Sequence, residues 1–213
     1  MNVTNLLCPS KIEINSKEIL NFKFAFVIFI IDFGSTKTSQ ISEVISSIGY
    51  ENKIFSWDEN INFNLCSGIV FSGAPVLLTE VNHQPYSSRY EFIKEIEIPI
   101  LGICFGHQLL GIIYGANVYK GKAIRNPVKI QILKKEDLFE NFNDSSVFAQ
   151  DHTEGINLPK DFIHLARSDD YEIEAMKHSF KFIYGVQFHP EISENNGKVL
   201  LKNFCSISQL GSE

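Results

Sequence analysis

Residues Pro99–Gly111 read PILGICFGHQLLG: an apolar run breaks on Gly102-Ile103-Cys104-Phe105-Gly106 and resumes as an apolar segment of helical texture. The pattern predicts a strand turning sharply into a helix with one cysteine at the bend. Glycines two residues to either side permit the strained dihedrals and close packing of such a turn, the spacing of a nucleophile elbow. The thiol of Cys104 then points out of the fold, and the helix start behind it supplies free backbone N–H groups and a positive dipole end. Both lower a thiol pKa and stabilise a developing oxyanion. The other reading is a buried structural cysteine, since a free Cys packs as a small hydrophobe.

Working outward, FAFVIFIID (24–32) predicts a buried strand ending on Asp32, and Gly34-Ser35 opens a turn into a helix over Thr38–Ile48, which Gly49 caps. Strands are expected at 51–55 and 68–71, the latter followed by the turn Ser72-Gly73-Ala74-Pro75. A helix is expected over 90–96, then the strand and helix around Cys104, ended by Gly115. Beyond Gly115 the runs shorten and alternate (116–119, 128–133, 146–149, 163–166, 173–177, 182–188), which reads as a smaller, antiparallel set of strands. A last helix over 197–206 is expected to turn Val199, Leu200 and Phe204 inward. The fold class is therefore α/β: an open, mostly parallel sheet flanked by helices in three flavodoxin-like layers, with the antiparallel strands in the second half. Residues 1–22 lack a clear period and read as an N-terminal extension to one domain spanning 23–213. In such sheets, sites form outside the carboxyl ends of the strands, so Asp32–Ser35, Ser72–Pro75, Cys104 and the segment after Phe188 are expected to share one crevice.

The chain has 213 residues, 44% hydrophobic and 21% charged, enough for one well-filled core. Its net charge of −6 is spread without a basic block, which argues against nucleic acid polymers and anionic membrane surfaces as partners. Four cysteines, at positions 8, 66, 104 and 205, show no Cys-x-x-Cys pair, so no metal site and no disulfide framework is signalled, and reduced cytoplasmic thiols fit best. The apolar run Phe24–Ile31 has eight residues behind a mixed polar segment, and reads as a strand, not a signal or membrane segment.

The second informative stretch is Tyr184–Glu191, YGVQFHPE, a strand broken by Pro190. A spacing of two puts His189 and Glu191 on one side of an extended backbone, so the carboxylate can hold one imidazole nitrogen while the other faces a thiol. A cysteine with such a base gains thiolate character, and the imidazolium can protonate a leaving amine. The alternative is a surface His-Pro-Glu turn.

With LGICFGHQ at 101–108 and GVQFHPE at 185–191, the sequence resembles the class I (triad) glutamine amidotransferases over about 24–204. Within that family, IDFGS (31–35), GIVFSGAP (68–75) and YGVQFHPEISENNGKVLLKNF (184–204) look like the glutaminase part of GMP synthetase. The resemblance implies that Cys104 attacks the side-chain amide of L-glutamine, His189 passes the proton that lets ammonia leave, and Glu191 orients His189. It implies an oxyanion hole of the Phe105 and Ala74 backbone N–H groups, and substrate contacts from Gln108, Gly73, Asp151, His152 and Thr153. His107 is expected to be structural. No cofactor is implied in this chain; ATP and magnesium belong to a separate ATP pyrophosphatase synthetase subunit that would take the ammonia and aminate xanthosine monophosphate.

The chain departs from the pattern in three places. Ala74 stands where the family usually has a second glycine, and its methyl is harmless only on a backbone that Ala tolerates. Asp151 and Thr153 differ from the branch's Ser-His-Gly-Asp segment; Asp151 either pairs with the substrate ammonium or is a solvated loop acid. Gly121–Asn126 lacks the acidic-aromatic pattern of GMP synthetase. Two other functions remain open on the residues alone: a stand-alone γ-glutamyl or related cysteine hydrolase, distinguished by preferring γ-glutamyl peptides over glutamine, and a non-catalytic interaction module on the same fold.

Overall fold

The computed structural model describes residues 26–210, so the N-terminal extension expected at 1–22 lies outside the described residues. Strand β1 (Val27–Asp32), helix α1 (Thr38–Ser47), β2 (Glu51–Ser56), β3 (Gly68–Phe71) and helix α2 (Gln84–Arg89) lead to the elbow formed by β4 (Ile100–Ile103) and α3 (Phe105–Ile113). Then follow β5 (Val118–Ile124), β6 (Val128–Ile132), β7 (Ser145–Phe148), β8 (His152–Ile156), β9 (Phe162–Arg167), β10 (Ala175–His178), β11 (Ile183–Val186) and helix α4 (Glu194–Leu210). Nine strands form one sheet in the order β2-β1-β3-β4-β11-β10-β9-β6-β7, and β5 pairs with β8 in a separate two-stranded ribbon.

The first five strands of that order run parallel, with Ile103 of β4 opposite Val186 of β11. The antiparallel strands β10, β9, β6 and β7 extend the same sheet. Period-two alternation divides the parallel strands between two cores. Ile28, Ile30, Val70, Leu101 and Ile103 pack with α1 and α4 on one face, through Ile41, Ile45, Leu200, Leu201 and Phe204. Ile31, Ile69, Phe71 and Ile100 pack on the other with Phe105, Leu109 and Leu110 of α3. The ribbon then covers α3, and Ile156 fills the space that a Cβ on Gly111 would need.

Three local expectations are corrected. Helix α2 starts at Gln84 and only a 3₁₀ turn at Glu91–Lys94 lies in the span expected to be helical. Pro85 suits a first helical turn, and the buried Tyr90 ring, whose hydroxyl donates to Trp57 O at 2.7 Å, marks the break. Val199 is 36% exposed; the inward face of α4 is Leu200, Leu201, Phe204, Cys205 and Ile207. Strand β8 falls in the polar stretch HTEGI, which carries no alternating apolar signal, and pairs only with β5.

Candidate active site

The bend after β4 places Cys104 at φ 51°, ψ −103°, a left-handed backbone that a residue with a Cβ rarely adopts. The strain sits on the cysteine itself, and the flanking glycines serve close approach. A Cβ on Gly102 would come within 2.5 Å of Gly106 O, and one on Gly106 within 2.5 Å of Phe71 O. Cys104 N donates to Val186 O at 2.9 Å and Gly106 N to Ser72 O at 3.1 Å, so the elbow is bolted to both neighbouring strands. Cys104 is 8% exposed, with Sγ 3.7 Å from Gln187 Nε2 and 3.9 Å from Asp151 O.

At the end of β11 the chain continues to His189, whose N donates to Ala149 O at 2.9 Å. The Glu191 carboxylate, its side chain fully buried, meets His189 Nδ1 at 2.7 Å. Nε2 of His189 is buried with no hydrogen bond of good geometry among the described residues. Burial works against the imidazolium, but the charge and hydrogen-bonding of the Cys104 sulfur, with Glu191 behind it, outweigh burial and raise the imidazole pKa from 6.5 to about 10. The charged ring is thus favoured where the Cys104 sulfur carries negative charge.

A cleft of about 230 Å³ opens over these groups, and its walls include Cys104, Phe105, Gln108, Ala74, His189 and the Asp151–Glu154 segment. Asp32 shapes one rim: its carboxylate accepts from Gly34 N at 2.9 Å, Ser35 N at 3.2 Å and the Thr38 hydroxyl at 2.7 Å. The expected convergence of four strand ends is present. Ala74 is not among the non-glycine residues with positive φ, so its methyl sits on an ordinary backbone. Gly73 lies close to the histidine, with a Cβ there reaching 3.3 Å from His189 Cε1.

Gln108 is 3% exposed and donates from Nε2 to Glu154 O and Gln187 Oε1, both at 3.1 Å. His152 Nδ1 is 3.0 Å from Glu154 O; burial pulls its pKa down to about 4, which keeps the ring neutral. His107 does not reach the cleft: it is wholly buried, and burial, with His152 second, pushes it down to about 3. Its imidazole lies in the space that a Cβ on Gly185 would take, a packing role.

Asp151 is an ion-paired residue. Its Oδ2 is 2.6 Å from Lys37 Nζ and its Oδ1 is 3.1 Å from Arg125 Nε. Burial favours the neutral acid, but Lys37 and then Arg125 hold the carboxyl below its usual range. Arg125 also donates to His152 O at 2.8 Å and to the Thr153 hydroxyl at 3.2 Å. Sequence reasoning passed over Lys37, Arg125, Glu154 and Gln187. Glu154 is 1% exposed, and its carboxylate takes hydrogen bonds from Leu78 N and Thr79 N, both at 2.8 Å, and from the Thr79 hydroxyl at 2.5 Å. A single Glu between a Thr and a Gly gives no such signal. Among the described residues no three His, Cys, Asp or Glu side chains form a metal-binding group, and no helix is long and apolar enough to cross a membrane.

A strained cysteine at a strand-to-helix elbow, beside a histidine held by a buried carboxylate at the carboxyl edge of an α/β sheet, is the arrangement of enzymes that use a thiol for acyl transfer. Residues 29–207 match the model of the family described as Glutamine amidotransferase class-I, and the chain belongs to that family. It is 37% identical over 187 residues to the glutamine-hydrolyzing GMP synthase subunit of Pyrococcus abyssi, covering 85% of this chain and 98% of that one. The subunit of the same name from Methanosarcina barkeri is 39% identical over 145 residues, 67% of this chain and 74% of that one. Among solved structures, one from Thermoplasma acidophilum, described as a candidate GMP synthase subunit, superposes with a TM-score of 0.80 at 27% identity, over 87% of this chain and 95% of that one.

Proposed function

We propose that this amidotransferase is the glutamine-hydrolysing subunit of a two-chain GMP synthase, releasing ammonia from L-glutamine for a separate synthetase. The observation that carries the reading is the placement of Cys104 and His189 in one cleft, with Glu191 buried behind the histidine at 2.7 Å and with Gln108, Phe105 and Ala74 also lining that cleft. The Cys104 sulfur attacks the amide carbon of the side chain, and the Phe105 and Ala74 N–H groups receive the oxyanion. The imidazolium of His189 gives its proton to the leaving nitrogen, ammonia departs, and a γ-glutamyl thioester remains. Water, losing a proton to His189, then cleaves the thioester to glutamate and restores the thiol. Glu191 fixes the tautomer by accepting from Nδ1, so that Nε2 faces the sulfur.

Gly73, Gln108, Asp151, His152 and Thr153 receive the amino-acid portion of the substrate, with Asp151 turned to the α-ammonium. ATP and magnesium act on the partner, an ATP pyrophosphatase that activates xanthosine monophosphate; the names of the archaeal relatives support the division into subunits. The test is glutamate release from glutamine by this chain alone and with an archaeal synthetase subunit, ATP and xanthosine monophosphate. Ammonia-dependent amination that becomes glutamine-dependent on adding this chain is the expected result. Turnover of γ-glutamyl peptides in preference to glutamine overturns it.

A further inference from the structure

We infer that Lys37 and Arg125 form a carboxylate cradle that selects the free α-carboxylate of the substrate. This inference rests on the glutaminase reading above. The residues come from separate parts of the chain: Lys37 from the turn before α1, Arg125 from the position after β5, and Asp151 from the position before β8. Two of the three family departures, Asp151 with Thr153 and the Gly121–Asn126 segment, meet here, because Arg125 contacts both Asp151 and Thr153. All four side chains line the cleft that holds Cys104.

A donor count shows what the arrangement leaves unspent. An ammonium carries three N–H donors and a guanidinium five. Lys37 spends one, on Asp151 Oδ2. Arg125 spends Nη1 on the Ile124 and His152 carbonyls and one Nη2 hydrogen on Thr153, while its Nε stands 3.1 Å from Asp151 Oδ1 as an ion pair. Among the described residues, two donors on Lys37 and one Nη2 hydrogen on Arg125 therefore remain without a partner, on two cations facing one anion. Around Asp151 two cations flank one carboxylate with donors unused, which suits a second carboxylate, while the Glu154 carboxylate in the same wall is taken up by Leu78 N, Thr79 N and the Thr79 hydroxyl. The order Lys37, Asp151, Arg125 is plus, minus, plus, and an α-amino acid offers the complementary pair, its ammonium to Asp151 and its carboxylate to a flanking cation.

Reach is consistent. Asp151 O is 3.9 Å from Cys104 Sγ, so the Asp151 side chain begins next to the nucleophile. In glutamine the α-carbon is three carbon–carbon bonds from the amide carbon, which places its charged groups over this segment when the amide lies at the sulfur. Arg125 is also immobilised by its own bonds to two carbonyls, so little freedom is lost when it binds.

The test is steady-state glutamate release by the full chain, as wild type, Lys37→Ala, Arg125→Ala and the double variant, with two fragments as competitive inhibitors. Glutaramate keeps the carboxylate and lacks the ammonium, and 4-aminobutanamide keeps the ammonium and lacks the carboxylate. Both positions are partly exposed, so folding is not at stake. Arg125→Ala is expected to raise KM for glutamine about tenfold with kcat within about threefold. In the double variant the inhibition constant of glutaramate is expected to rise at least about tenfold while that of 4-aminobutanamide changes far less. A purely structural bridge would weaken both fragments alike, and that result, or an unchanged KM, overturns the cradle. If the wild type releases no glutamate from glutamine with or without a synthetase, the glutaminase reading itself falls.

Discussion

Replacing Glu191 by Gln tests whether the carboxylate acts through the histidine. The substitution keeps the shape and removes the charge. Glu191 lies behind His189 and does not line the cleft, so substrate contacts stay as they are. What is lost is the charge assistance of one 2.7 Å hydrogen bond to Nδ1, at a side chain with no solvent exposure. Hydrogen bonds to a charged group contribute about 1.5–3 kcal/mol, and each 1.4 kcal/mol on the barrier is about tenfold in rate. The expected outcome is a kcat about 10- to 150-fold lower, with KM within about twofold. Glu191 is also one of the groups that raise the His189 pKa, so its loss lets burial pull the imidazole down. The alkaline limb of the pH–kcat profile, where the imidazolium is lost, then moves to lower pH. Glutamate release measured across pH, with far-UV circular dichroism to confirm folding, provides the assay. A kcat within about twofold of wild type and an unmoved alkaline limb would refute the reasoning, whatever the effect on stability.

Cys104→Ala is expected to abolish ammonia release, and a glutamine-analogue electrophile to label Cys104 alone of the four cysteines, read by peptide mass spectrometry. Burial pushes the Cys66 and Cys205 thiols up to about 12, which removes their thiolate near neutral pH. Glu154→Ala strips the acceptor from Leu78 N and Thr79 N, and at about 1–3 kcal/mol per orphaned donor it lowers Tm by several degrees and raises KM through the loosened cleft wall. An unchanged Tm would show that those N–H groups find other partners. Burial raises the Glu174 carboxyl from 4.5 to about 7, against hydrogen bonds from Ser168 and Gln150. The folded chain then binds the extra proton between those two pH values, so this group's contribution is full below 4.5 and is lost as pH rises through 7, a fall of up to about 3 kcal/mol. Chemical denaturation of wild type and Glu174→Gln should show that slope in the wild type only.

What was legible in the sequence was written in short-range patterns. The elbow shows because an apolar strand, two glycines and an apolar helix are contiguous, and His189 and Glu191 show because their spacing of two is local. The parallel core strands are apolar on both faces and stand out as continuous runs. Strand β8 was invisible because β5 is its only strand partner among the described residues, and the buried polar positions His152 and Glu154 look like loop residues. Helix α4 turns Val199 outward because its neighbours Leu200 and Leu201 already occupy the face toward the sheet. The partners of Asp151 are 114 and 26 residues away along the chain, and no periodicity reports such contacts.

The departures at the cleft lie together in space although they are scattered in sequence, and this bears on how the site tolerates them. An isolated aspartate above Cys104 would be costly, because its charge would oppose a thiolate at short range. Lys37 and Arg125 offset that charge, so Asp151 stands beside Cys104 as a paired acid. Ala74 follows the same logic in its backbone: the family's glycine is dispensable because no left-handed dihedral is required there. Within the cleft, strain is kept at Cys104, at φ 51°, held by the hydrogen bond from its N to Val186 O and by close packing of Gly102 and Gly106. Asn141, Asp161 and Glu194 also have positive φ but do not line the cleft, so the strain there falls on the residue that projects into it, while the surrounding substitutions are compensated pairwise.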